Sequence, residues 1–122
     1  MWAERDIHLD EAEDYIRQAL ELDPDNGAYL DSRGWVSFRK GRYDDALRDL
    51  LRAAQSLTRD DPVVFEHIGD AYAKSNRIPQ ALEYWQKAIT LDPGNKALAD
   101  KVESTRTTMS KGGPATASPP VR

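Results

Sequence analysis

The chain has 122 residues, enough for one modest domain, and nearly a third of them are charged. Its net charge of −4 offers no basic stripe for a nucleic-acid backbone, and the absence of cysteine excludes a disulfide framework and a thiolate nucleophile. Apolar runs are only a few residues long, too short to cross a bilayer. Residues 1–8, "MWAERDIH", have no apolar core of the signal-peptide kind. Cytoplasm and bacterial envelope or periplasm are equally compatible with this composition.

In chain order, the periodicity predicts a short frayed helix over 2–7 and then helices over 10–22, 27–40, 43–57, 62–75, 78–91 and 96–108. No stretch alternates with a period of two, so no strand is predicted and the fold class is all-α. The punctuation agrees. Asn26 and Asn95 follow the turns "LDPDN" and "LDPGN" and are placed to cap the next helices. Asp61-Pro62 reads as an N-cap followed by proline in the first turn, and Pro79 falls in the first turn of its helix. Gly41 and Asn76 suit a left-handed residue closing a helix. Residues 110–122, "SKGGPATASPPVR", are expected to be disordered.

Self-similarity organises these elements. Three segments, 9–26, 43–62 and 78–95, each carry two alanines seven residues apart: Ala12 and Ala19, Ala46 and Ala53, Ala81 and Ala88. Seven residues are two helical turns, so each pair lies on one face, where a small residue lets a neighbouring helix approach. The alanines recur 34 and then 35 residues later. Ahead of the later two segments, "GAYLDSRGWVSFRKG" aligns with "PVVFEHIGDAYAKSN", matching Gly34 to Gly69 and Gly41 to Asn76.

This pattern resembles the tetratricopeptide repeat, whose period and motif it shares over about residues 9–95. The third repeat matches at Phe65, Ile68, Gly69, Tyr72, Ala81, Trp85, Ala88 and Pro93. The second matches at Leu30, Gly34, Tyr43, Ala46, Leu50 and Ala53, and departs at Arg33 and Ser37. The resemblance implies an α-solenoid of antiparallel helix pairs over residues 1–109: a partial repeat over 1–26, full repeats over 27–61 and 62–95, and a capping helix over 96–109. Only the second helix of the first repeat is evident; counting back, Met1 falls inside its first. The chain is also similar to the C-terminal repeats of longer bacterial proteins of this family, envelope lipoproteins among them.

Nothing in the sequence assembles a reaction centre. His8 and His67 lack a metal-ligand spacing, and no glycine-rich loop opens a helix after a strand. Ser32, Ser37, Ser56 and Ser75 have no nucleophile motif around them. The expectation is a non-catalytic scaffold without metal or cofactor.

In this family the first helices of successive repeats line a concave groove. Helical spacing puts Asp31, Trp35, Phe38 and Arg39 on the groove face of the second repeat. Glu66, Asp70 and Lys74 continue it in the third, and Val63 and Asp100 extend the wall. Trp35 is either an anchor for a ligand or packing against the next repeat; Trp85 is core. Arg33 is expected to pack its stem and reach water with its head, with Asp31 and Asp70 as candidate partners, loosening the interface between the first two repeats. The lysine and asparagine clamp with which some relatives hold chaperone C-terminal tails is missing, its positions being Asp31, Trp35, Glu66 and Asp70. The groove's small acidic excess suits a protein or peptide segment with basic and apolar residues. The alternative is self-association, a homo-oligomer formed through an uncapped front face exposing Ile16, Leu20 and Leu22.

Overall fold

A computed structural model describes the backbone of residues 2–110 and the side chains of residues 8–109. It contains six helices: α1 (Trp2–Leu22), α2 (Gly27–Arg39), α3 (Tyr43–Ser56), α4 (Pro62–Lys74), α5 (Ile78–Leu91) and α6 (Lys96–Ser110). Among the described residues there is no strand, and no helix is long and apolar enough to cross a membrane. The tail expected beyond Ser110 lies outside the described residues.

The caps form where the sequence places them. Asn26, Asp61 and Asn95 accept from the backbone N–H groups of Tyr29, Val63 and Leu98 at 3.0, 2.9 and 3.0 Å. Gly41 and Asn76 take positive φ, 81° and 64°, and turn α2 into α3 and α4 into α5. The same register position in the first repeat is Ile7, a β-branched residue that would be strained there. No turn forms, and the two helices expected over 2–7 and 10–22 are one. Met1 itself lies outside the described residues.

Each hairpin closes through a glycine. A methyl group on Gly34 would lie 2.7 Å from Cγ of Leu50, and one on Gly69 would overlap the Trp85 ring. Those bulky residues reach the opposite backbone because Ala46 and Ala53, or Ala81 and Ala88, flank them and are themselves fully buried. Two connected cores result, one around Leu30, Leu50 and Ile68, the other around Trp85, Leu98 and Val102. α6 covers the second with Leu98 and Val102, while Ala97 stays exposed. Eight residues after its capping Asn95 stands Glu103, where α2 and α4 have their glycines, and Glu103 is exposed.

Arg33 does not reach for water. Its Nε and Nη2 donate to the two carboxylate oxygens of Asp49 in α3, at 2.8 and 2.9 Å. The Asp49 side chain is only 9% exposed and that of Arg33 35%. Asp31 and Asp70, the expected partners, are engaged elsewhere. The pair is internal to the second repeat, so the reason for expecting a loose front interface disappears. That interface holds Leu20 at 7% exposure. It is also bridged by Lys40 to Asp10 and Glu13 and by Arg42 to Glu13. The self-association face read from sequence changes accordingly: Leu20 is core, Ile16 is half-buried against it, and Leu22 is exposed.

In the third repeat the same two positions are Ile68 and Tyr84. Asp49→Ala leaves a half-buried guanidinium unpaired and should cost about 1–3 kcal/mol. The double variant Arg33→Ile/Asp49→Tyr should recover parent stability or exceed it, as replacement of an ion pair by apolar residues often does. Urea unfolding of the parent, the single and the double variants checks both.

Candidate functional site

α2, α4 and α6 form an inner row, and their facing side chains are tied from helix to helix. Between α2 and α4, Nδ1 of His67 lies 2.9 Å from Oδ1 of Asp31. The Trp35 ring stacks on His67 with centroids 4.0 Å apart and on Phe38 at 4.5 Å. Trp35 is thus half-buried and packs across the repeat boundary. Phe38 in turn meets Tyr43 edge-on at 5.5 Å.

Between α4 and α6 the tie is ionic. The Lys101 ammonium donates to Oε2 of Glu66 and Oδ1 of Asp70, both at 2.8 Å, and lies 5.4 Å from the Trp85 ring centroid. The Trp85 indole N–H donates to the same Asp70 oxygen at 3.1 Å. Lys101 is therefore half-buried, whereas Glu103 and Arg106 are exposed. Trp85 is core, 2% exposed. Arg39 and Lys74 are exposed, with no ion-pair partner among the described residues; Val63 and Asp100 are also exposed.

Two carboxylates thus share one ammonium. Burial pushes the Asp70 carboxyl above its ordinary value; Lys101 and the indole reduce that push without cancelling it, and the Glu66 charge adds to it. Burial also works against the Lys101 charge, but its bonds to Asp70 and Glu66 outweigh it and hold the ammonium above its ordinary range. The acids expected to face a ligand are thus engaged within the wall, Asp31 in a hydrogen bond with His67 and Glu66 with Asp70 on Lys101.

Where the row meets the outer helices, Phe38, Ala73, Trp85, Asp70, Lys74 and Lys101 line an open cavity of about 380 Å³. Of the seven residues assigned to the groove, Phe38, Asp70 and Lys74 line this cavity, whereas Asp31, Trp35, Arg39 and Glu66 do not. The sequence reading missed His67 and Lys101. Both lie one helical step from residues it named, His67 beside Glu66 and Lys101 beside Asp100.

Lys101→Met should cost about 1–3 kcal/mol by stranding two carboxylates, measured by thermal melting. The folded chain holds the Asp70 proton more readily than the unfolded chain does. Ionising Asp70 therefore costs stability as pH rises through the raised folded value, and no such cost exists below the ordinary value. Asp70→Asn removes that cost and keeps an acceptor for the indole. Its stability relative to the parent should improve from acidic to neutral pH in urea unfolding; a fall would contradict the direction given for Asp70.

Comparison with known proteins agrees with this geometry. Family models described as tetratricopeptide repeat match residues 8–62 and 62–95. The chain is 40% identical over 68 residues to the TPR repeat-containing protein PA4667 of Pseudomonas aeruginosa, covering 56% of this chain and 11% of that protein. It is 33% identical over 88 residues to the heat shock protein STI1 of Saccharomyces cerevisiae, covering 67% of this chain and 15% of that one. It thus spans a small fraction of the relatives it matches. In structure it is similar to the first TPR of Spaghetti (RPAP3) bound to the HSP90 peptide SRMEEVD, with a TM-score of 0.79 at 19% identity, covering 87% and 83% of the two chains. With both repeat matches falling on the hairpins just described, the chain belongs to the tetratricopeptide-repeat family of non-catalytic, protein-binding modules.

Proposed function

We propose that the chain holds a segment of another protein along the inner row of α2, α4 and α6, with an apolar side chain of that segment seated on Phe38, Ala73 and Trp85. The cavity there carries the reading: about 380 Å³, lined by three apolar and three charged side chains, within the range of small-ligand sites. A wall fixed beforehand loses little freedom on docking. In this reading Phe38, Arg39 and Lys74 touch the ligand, while Asp31, Trp35, Glu66 and Asp70 hold the wall in place.

The apolar half of the expected ligand keeps its seat. Its basic half is less well served, because the acids meant for it already hold His67 and Lys101. The charges left without an ion-pair partner among the described residues favour a segment of mixed charge with an acidic group near Arg39 and Lys74. The HSP90 peptide in the Spaghetti complex supports peptide binding by this fold. With Asp31, Trp35, Glu66 and Asp70 at the clamp positions, a chaperone tail is not the ligand proposed.

We also read the chain as the C-terminal portion of a longer, bacterial protein of the family. Its short span of PA4667 supports its being a portion of a longer protein.

Selection of displayed peptides on the parent tests the groove. Binders should share a large apolar residue and lose at least ~10-fold in affinity, about 1.4 kcal/mol, on Ala73→Arg, which fills the cavity, with circular dichroism unchanged. Equal binding to parent and variant would move the site away from the inner row.

A further inference from the structure

A second cavity, of about 320 Å³, is lined by Asp60 of the α3–α4 turn, Phe65 of α4, and Lys87, Thr90 and Leu91 of α5. It shares no lining residue with the inner cavity. Phe65 packs against both cores, so its ring is fixed from behind, and Leu91 is 44% exposed. The Lys87 ammonium lies 4.9 Å from the Tyr84 ring centroid and 5.8 Å from that of Phe65, and the two rings stand 6.0 Å apart. Rings hold a cation in place without neutralising it.

The preceding repeat shows the same register closed. Its matching residues are Asp25 and Arg52, which pair at 2.6 Å. Where the third repeat has Phe65 and Tyr84, the second has Leu30 and Asp49, so Arg52 finds no rings and takes the carboxylate. Asp60 and Lys87 make no such bridge, and neither has another ion-pair partner among the described residues. The turn before α4, residues 57–61, is also one residue longer than that before α2, residues 23–26.

The cavity belongs to the middle of the chain. On α3 its α5 residues correspond to Arg52, Gln55 and Ser56, and Arg52 and Gln55 stay exposed although α4 and α5 follow. A further repeat stacked on α5 would leave Lys87 and Thr90 open in the same way.

An occupant has to cover Phe65 and Leu91 and meet one charge of each sign. A bare hydrocarbon chain leaves both charges unmatched, and a wholly acidic segment meets Asp60 with like charge. We propose that this cavity is a second protein-binding site, taking a large apolar side chain of a partner segment whose neighbours are an acid for Lys87 and a base for Asp60. It does not depend on the inner row, and either site can fail alone.

Displayed peptides selected on the parent and counter-selected on Lys87→Glu test it. The recovered peptides should share a large apolar residue between an acid and a base. They should lose about 10-fold in affinity on Leu91→Ser, which installs the residue of the second repeat, and keep their affinity for Ala73→Arg. Lys87 and Leu91 are exposed, so both variants keep their helical circular dichroism. On binding, amide shifts in nuclear magnetic resonance should concentrate at Asp60, Phe65, Lys87, Thr90 and Leu91. Recovery of no such peptide overturns the proposal. Peptides indifferent to Leu91→Ser, or shifts gathered on the inner row instead, overturn it as well.

Discussion

The close approach of paired helices through glycine is the contact on which the rest of the molecule depends. Gly34 against Leu50 and Gly69 against Trp85 bring each inner helix down onto its outer partner. A bulky side chain resting on bare backbone, flanked by buried alanines, fixes both the spacing and the register of a hairpin. Once the register is fixed, the residues one step around each inner helix face the neighbouring inner helix. That is why Asp31 meets His67 and why Glu66 and Asp70 meet Lys101. The inner wall is a consequence of the packing behind it.

The charges of that wall are used inward. Lys101 comes from α6 and satisfies two carboxylates of the preceding repeat, while the Trp85 indole bonds one of them from beneath. One tryptophan therefore belongs to the core through its ring and to the wall through its N–H. Trp35 plays the matching part at the other repeat boundary, stacked on His67 and Phe38. Both boundaries of the inner row are closed by an aromatic ring and a polar pair, which leaves a wall with few free acids and a cavity beside it.

Most of the fold was legible in the sequence, because alanine pairs, caps and left-handed turn residues are local signals. Helix ends at Asn26, Gly41, Asp61, Asn76 and Asn95 followed from single residues whose chemistry acts on their own backbone. The error at the front end was of the same local kind: Ile7 stands where the other repeats have Gly41 and Asn76, and the helix runs on. The partners of Arg33 and Lys101 were less accessible, since an ion pair sixteen or thirty-one residues long in sequence leaves no periodicity. Arg33 with Asp49 did leave one trace. Two charges replace the Ile68 and Tyr84 of the next repeat at matching positions, and paired departures from a repeat mark a contact. Lys101 left none, because a lysine on the polar face of a terminal helix reads as solvent-facing.

Nuclear Overhauser contacts in solution test this architecture most directly. The account predicts contacts from the Gly69 α-protons to the Trp85 indole, from those of Gly34 to the Leu50 methyls, and from the Trp35 ring to that of His67. Absence of the two glycine contacts in a folded, helical chain would contradict the packing from which the inner wall and its cavity are derived.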